Sequence, residues 1–139
     1  MTSISPASVT ASSGPLTLTV NGTGFVRSTI IQVGGVADAT TYVSSTQLTA
    51  TVTSQQMMSG AQLSVVALNG TSGSGSGTAI HLQVTNPPPT ITSLSPAVTV
   101  VGTAPQTIAV TGTGFVPTTV IDVNATARTT TYVSATQLN

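Results

Sequence analysis

The chain carries most of its first half twice. Thr2-Ser-Ile-Ser-Pro-Ala7 returns as Thr92-Ser-Leu-Ser-Pro-Ala97, Gly22-Thr-Gly-Phe-Val26 as Gly112-Thr-Gly-Phe-Val116, and Thr40-Thr-Tyr-Val-Ser44 as Thr130-Thr-Tyr-Val-Ser134. The offset is 90 residues each time (92 against 2, 112 against 22, 130 against 40), with no gap from Thr2/Thr92 to Thr49/Asn139 and about half the pairs identical. A period of this length means a module that folds as a unit and is then copied in tandem. In this register Met1 stands where Ile91 stands, so the chain is expected to open at a domain boundary. Asn139 stands where Thr49 stands, so the second copy lacks counterparts to residues 50–86. Further residues or strands from another molecule are expected to complete it.

Within the first copy the pattern is that of strands. Leu16-Thr-Leu-Thr-Val20 alternates, pointing Leu16, Leu18 and Val20 inward and Thr17 and Thr19 to water. Ile30–Val33, Gly34-Gly35 and Val36–Val43 predict a hairpin, since paired glycines supply the two positive φ angles of a tight turn. Asn124-Ala125 replaces those glycines in the second copy, and Ala takes positive φ poorly, so that turn is expected to differ. Thr46–Val52 alternates again, and Gln62–Leu68 and Ala79–Thr85 form a last pair. The Ser-Gly run Ser72–Gly77 falls inside the repeat, so it is read as a long hairpin loop, not a linker. Asn86-Pro87-Pro88-Pro89 is the linker, a short semi-rigid spacer of polyproline II type that should make a rod of successive domains. Gly and Pro interrupt any helical stretch, and Thr, being β-branched, suits a half-exposed pleated face.

The order of these features resembles the IPT/TIG family, an immunoglobulin-like fold shared with plexins and some transcription factors. The residues that carry the likeness are Ile4-Ser5-Pro6, Gly22-Thr-Gly24-Phe25, Val33-Gly-Gly-Val36, Tyr42–Leu48 and the proline linker at Pro87. The fold expected is all-β, tandem immunoglobulin-like antiparallel β-sandwiches with the second incomplete. Its divisions are a complete domain over 1–86, a Pro-rich linker over 87–90 and the N-terminal part of a second domain over 91–139. The resemblance implies a fold more than a task, because the family serves in receptors, surface proteins, polysaccharide-acting enzymes and DNA-binding factors.

Composition closes off several classes of function. Arg27, Asp38, Asp122 and Arg128 are the only charged residues, 3% of the chain, against roughly 25% in an average soluble domain. Two cations and zero net charge give nucleic acid no basic footprint. No apolar run reaches the ~18 residues of a membrane span, so no membrane insertion is expected. No secretion signal is seen at the start. With no cysteine, disulfides and thiolate metal sites are ruled out.

The residues that could carry chemistry read as structural. Gly22-x-Gly24 and Gly112-x-Gly114 lack the third glycine and following helix of a phosphate loop; they are expected to form tight turns that seat Phe25 and Phe115 in the core. His81, the single histidine, alternates with Ile80 and Leu82 onto the outer face. Asp38 and Asp122 are isolated and cannot form a carboxylate pair or a calcium cage. Asp38 and Arg128, equivalent positions of opposite sign, are read as unrelated surface charges. Asn21, Asn69 and Asn124 each open an Asn-x-Thr sequon, idle in a bacterial host. Met57-Met58 is expected to plug the open end of the sandwich. No catalytic, cofactor-binding or metal-ligating residue is therefore expected, and no enzyme. The function expected is a non-catalytic repeat module of an extracellular stalk, fibre, filament or surface assembly, whose partners are copies of itself or neighbouring repeats. The alternatives are a carbohydrate-binding or spacer module of a secreted polysaccharide-acting enzyme, or a phage or virion decoration domain.

Overall fold

The computed structural model describes residues 1–70, 76–102 and 104–139, in two compact units, Met1–Thr85 and Asn86–Asn139. Most of the loop expected over Ser72–Gly77 lies outside the described residues.

The first unit is an immunoglobulin-like sandwich of eight strands, β1 (Ser3–Ser5), β2 (Ser8–Thr10), β3 (Leu16–Asn21), β4 (Thr29–Val33), β5 (Val36–Ser44), β6 (Gln47–Val52), β7 (Ala61–Asn69) and β8 (Ile80–Thr85). The strands expected from alternation are there, most within a residue of their predicted ends. The two three-residue strands β1 and β2 were not foreseen, being too short to show a period. Hydrogen bonding runs in the order β1-β3-β6-β5-β4-β7-β8-β2, and every pairing is antiparallel except β2 with β8.

Two places let one chain serve both sheets. The chain crosses between β1 and β2, at the cis Ser5–Pro6 peptide. It crosses again within β5, where Val36, Ala37 and Asp38 pair with β4 and Ala39 onward pairs with β6. At this second crossing β4 would lose a partner for its next N–H. Thr40 supplies one: its Oγ1 accepts the Ile31 N–H at 2.9 Å and donates to the Asp38 carbonyl at 2.9 Å. Leaving that N–H unpaired would cost roughly 1–3 kcal/mol of desolvation.

The inward faces are apolar in the alternation expected. Leu18, Val20, Leu48, Ala50 and Val52 face Ile31, Val33, Val65, Leu82 and Val84, all buried; Leu16, also expected inside, is half-buried. The 3-10 turn Ser54–Met57 carries the crossover to β7. It buries Met57 completely, while Met58 is half-buried. The Gly34-Gly35 turn has φ of 60° and 84°, and its strands meet as Val33 opposite Val36, the two-residue hairpin the glycines predict.

The second unit repeats the first half of this plan. β9 (Thr90–Ser95), β10 (Ala109–Thr113), β13 (Tyr132–Ser134) and β14 (Gln137–Leu138) form one sheet, and β11 (Ile121–Val123) pairs with β12 (Thr126–Arg128). Thr90, counted with the linker in the sequence reading, begins β9 and pairs with Thr113. The turn at Asn124-Ala125 corrects one expectation. It keeps the geometry of its glycine counterpart, with φ of 52° and 60° and Val123 opposite Thr126. The strand register overrides the local reluctance of Ala125.

The Gly-x-Gly-Phe turn explains itself physically. Phe25 and Phe115 are buried. A Cβ on Gly22 would lie 2.7 Å from Cζ of Phe25 and 2.9 Å from Cα of Met1, so the ring needs the bare glycine beneath it. Gly24 and Gly114 both have φ of 74°. A Cβ on Gly114 would also stand 2.6 Å from the Pro88 carbonyl oxygen, so this turn holds the proline segment close.

Candidate functional site

Three hydroxyl positions common to both copies hold the scaffold. Thr29 Oγ1 accepts the Val26 N–H at 2.8 Å, and Thr119 Oγ1 accepts the Val116 N–H at 2.9 Å. Thr40 bridges the strand crossing, and Thr130 does the same work, taking the Ile121 N–H at 3.0 Å and giving to the Arg128 carbonyl at 2.9 Å. Ser44 Oγ accepts the Thr46 N–H at 3.1 Å, and Ser134 accepts that of Thr136 at 3.2 Å. These bonds account for the Thr-Thr-Tyr-Val-Ser-x-Thr run as a turn motif, in which hydroxyls replace backbone partners. None of these hydroxyls has a histidine or carboxylate within hydrogen-bond reach in these networks, so none is set up as a nucleophile.

The first unit adds an amide network that sequence reading missed. The buried Thr29 hydroxyl donates to Oδ1 of Asn69 at 2.6 Å, and Nδ2 of Asn69 donates to the Gly24 carbonyl at 2.9 Å. Asn69, read as a sequon, thus ties β7 to the Gly-x-Gly-Phe turn. Thr29 was legible as one of the identities shared with Thr119; its distant partner was not. Asn21 is likewise engaged, with Oδ1 accepting from Gln47 Nε2 at 3.2 Å and Nδ2 donating to Ser3 Oγ at 3.2 Å. Asn124 is exposed at its turn.

Asp38 is not the surface charge it was read as. Its side chain is buried, and Nε2 of Gln56 donates to its Oδ2 at 3.2 Å and to the Val33 carbonyl at 3.2 Å. Oε1 of Gln56 accepts the N–H of Thr53 at 2.9 Å and its hydroxyl at 2.7 Å, pinning the 3-10 turn to the β4–β5 hairpin. Burial pushes the Asp38 carboxyl above its ordinary range, and hydrogen bonds from Gln56 and the Val33 backbone partly offset the rise. Arg128, its equivalent, is exposed.

The remaining candidates stand apart. His81 is exposed on β8, opposite Ser64 of β7. Arg27 lies over the Tyr42 ring at 5.5 Å from its centre, a cation–π contact between surface side chains. Among the described residues, no three of His, Asp or Glu come together as a metal would require. No helix among them is long and apolar enough to cross a membrane. Among the described residues, a small cavity of about 50 Å³ is lined by Met1, Thr23, Gly24, Phe25, Ala67, Asn69 and Gly77. Metabolite sites run to roughly 300–1,000 Å³, so it has room for water and little else.

No curated protein matches the chain in sequence. The family model of the IPT/TIG domain matches it twice, over residues 1–83 and again over 89–139. That double match follows the two compact units, the shared Gly-x-Gly-Phe turn and the shared hydroxyl bridges. The chain belongs to the IPT/TIG domain family, a group of immunoglobulin-like, non-catalytic modules.

Proposed function

We propose that this chain is a non-catalytic structural repeat segment of an extracellular stalk, fibre or surface assembly, with copies of itself or neighbouring repeats as partners. The observation that carries the reading is the parallel pairing of β2, which follows the short β1 near the start of the first unit, with β8, the last strand of that unit. Ser8 lies opposite Gln83, Val9 opposite Val84 and Thr10 opposite Thr85. The Ala11 N–H donates to the Thr85 carbonyl at 2.8 Å and the Gln83 N–H to the Ala7 carbonyl at 3.0 Å. Tension applied through the ends of a tandem array pulls these two parallel strands along their lengths in opposite directions. The bonds between them are loaded together, in shear, instead of one after another as in an unzipping hairpin. This arrangement suits a link that carries load. The 90-residue repetition, the shared hydroxyls that hold the scaffold, and the frequency of the family in extracellular and surface-associated proteins support the same reading.

A polyprotein of residues 1–86 pulled end to end in a single-molecule force experiment tests it. The wild-type modules should unfold in discrete, high-force events. Ala11→Pro, which removes the N–H donated to Thr85, should lower that force much more than it lowers equilibrium stability. Modules that yield at low force, with no effect of Ala11→Pro beyond its loss of stability, would refute a load-bearing role.

A further inference from the structure

The three Asn-x-Thr sequons differ in what surrounds them. Asn21 and Asn69 have their amides engaged, Asn21 with Ser3 and Gln47, Asn69 with Thr29 and Gly24. No such bond holds the Asn124 amide among the described residues. Asn124 and Ala125 form the tip of the β11–β12 hairpin, at φ of 52° and 60°, and residues 122–126 are all exposed. The exposure belongs to the turn itself. At the same turn of the first unit Gly34, Gly35 and Val36 are exposed as well, and Gln32, in the place of Asp122, is half-buried. A second feature singles out the same site. Asp122 stands two residues before Asn124, so the run reads Asp122-Val-Asn-Ala-Thr126. The chain has two acids in all, and one of them is here, whereas Thr19 and Ala67 stand before the other two asparagines.

We propose that Asn124 is an N-glycosylation site. The enzyme it fits is an oligosaccharyltransferase of the bacterial class, which requires a carboxylate two residues before the acceptor asparagine in addition to the Asn-x-Thr run. The expectation that the sequons are idle in a bacterial host then holds for Asn21 and Asn69 alone. Each residue has a chemical part. The Thr126 hydroxyl is the recognition group of the sequon. The Asp122 carboxylate offers a charged acceptor to a cationic side chain of the enzyme. The Asn124 amide nitrogen attacks the anomeric carbon of an oligosaccharide carried on a polyprenyl diphosphate. A carbon–nitrogen bond forms and the bond from that carbon to the diphosphate oxygen breaks. The lipid diphosphate leaves with the electron pair, and the amide gives up one proton to solvent. The attached glycan is bulky and solubilising. It sits on a chain with 3% charged residues, whose neutral surface otherwise favours self-association.

The test incubates the full 139-residue chain with purified transferase of this class and a polyprenyl-diphosphate-linked oligosaccharide. Intact mass and peptide mapping read the result. The assay needs no export, so its outcome is separate from the cellular location proposed above. A single glycan is expected, on Asn124, with Asn21 and Asn69 unmodified. Asp122→Asn should slow transfer by at least on the order of tenfold, the effect of losing one hydrogen bond to a charged group. Asn124→Gln should abolish it. A synthetic peptide of residues 119–129 depends on no fold and serves as the reference acceptor. An unmodified peptide would overturn the assignment of the sequon. A modified peptide beside an unmodified chain would overturn the claim that the turn presents it. Equal transfer to Asn21 or Asn69, or indifference to Asp122→Asn, would overturn the role of the acid.

Discussion

Gln56 reaches from the crossover turn to Asp38, donating a 3.2 Å hydrogen bond to a carboxylate that the opposing copy replaces with Arg128. Burial is the larger influence on Asp38 and holds its proton affinity above that of the unfolded chain. The folded state therefore binds the proton more tightly. The cost of the buried charge is absent below the unfolded pKa of 3.8 and fully present once the pH exceeds the raised folded value. Asp38→Asn, which keeps an acceptor for Gln56, should raise the melting temperature of residues 1–86 at pH 7. It should also remove a decline in stability between pH 3.8 and neutrality. Melting curves at several pH values check this; a variant that is less stable than wild type only at neutral pH would show that the carboxylate stabilises the fold.

Gly22→Ala places a methyl group against the Phe25 ring and the Met1 backbone. The expected loss is about 1–3 kcal/mol, the usual range for overpacking a filled core. Gly112→Ala should do more damage, because there the new Cβ meets the Thr90 carbonyl oxygen, which cannot rotate away as a side chain can. Urea titration measures the first, and loss of amide protection along β9 and β10 reports the second.

Ala125 sits in the left-handed region at φ 60°, a conformation that costs a non-glycine residue about 1–2 kcal/mol. Gly35→Ala in residues 1–86 should lower stability by about 1 kcal/mol for the same reason. Ala125→Gly should slow exchange of the β11–β12 amides. An unchanged midpoint for Gly35→Ala would mean that this turn tolerates a side chain without strain.

Residues 91–139 made alone should be unfolded or aggregated, and residues 1–86 should fold. Each large apolar side chain left without cover forfeits roughly 1.5–3 kcal/mol. Several together approach the ~5–15 kcal/mol that stabilises a whole domain. Circular dichroism with sedimentation on the two fragments decides it, and a soluble, cooperatively melting 91–139 monomer would contradict it.

The sequence made the fold legible wherever period or repetition was involved. Alternation in Leu16–Val20 and Gln62–Leu68 placed strands, and the offset of 90 placed the shared turns. What was hidden depended on long-range partners. Asp38 lies on an exposed-looking stretch of β5, and only Gln56, 18 residues later in the chain, brings it under cover. Asn69 announced itself as a sequon, yet its amide closes a network with Thr29 and Gly24, 40 and 45 residues away. The Asn124-Ala125 turn was misjudged because local preference is small beside a hairpin register fixed by its neighbours. The parallel β2–β8 contact joins a three-residue strand to one more than 70 residues distant, and so short a strand has no period to read.

The contact of Pro88 with Gly114 bears on where this module starts. The sequence period restarts at Ile91, but the second compact unit begins at Asn86, and Gly114 is packed against backbone in between. The copied text and the folding body are thus out of phase by five residues (91 against 86), about a strand's length. A designer who cut at Ile91 would remove the surface on which the Gly-x-Gly-Phe turn rests, whereas a cut after Thr85 would preserve it. At Gly24 an added Cβ would meet nothing within van der Waals reach, so Gly24→Ala would act through its positive φ alone, whereas Gly114→Ala would also push the proline segment off its turn.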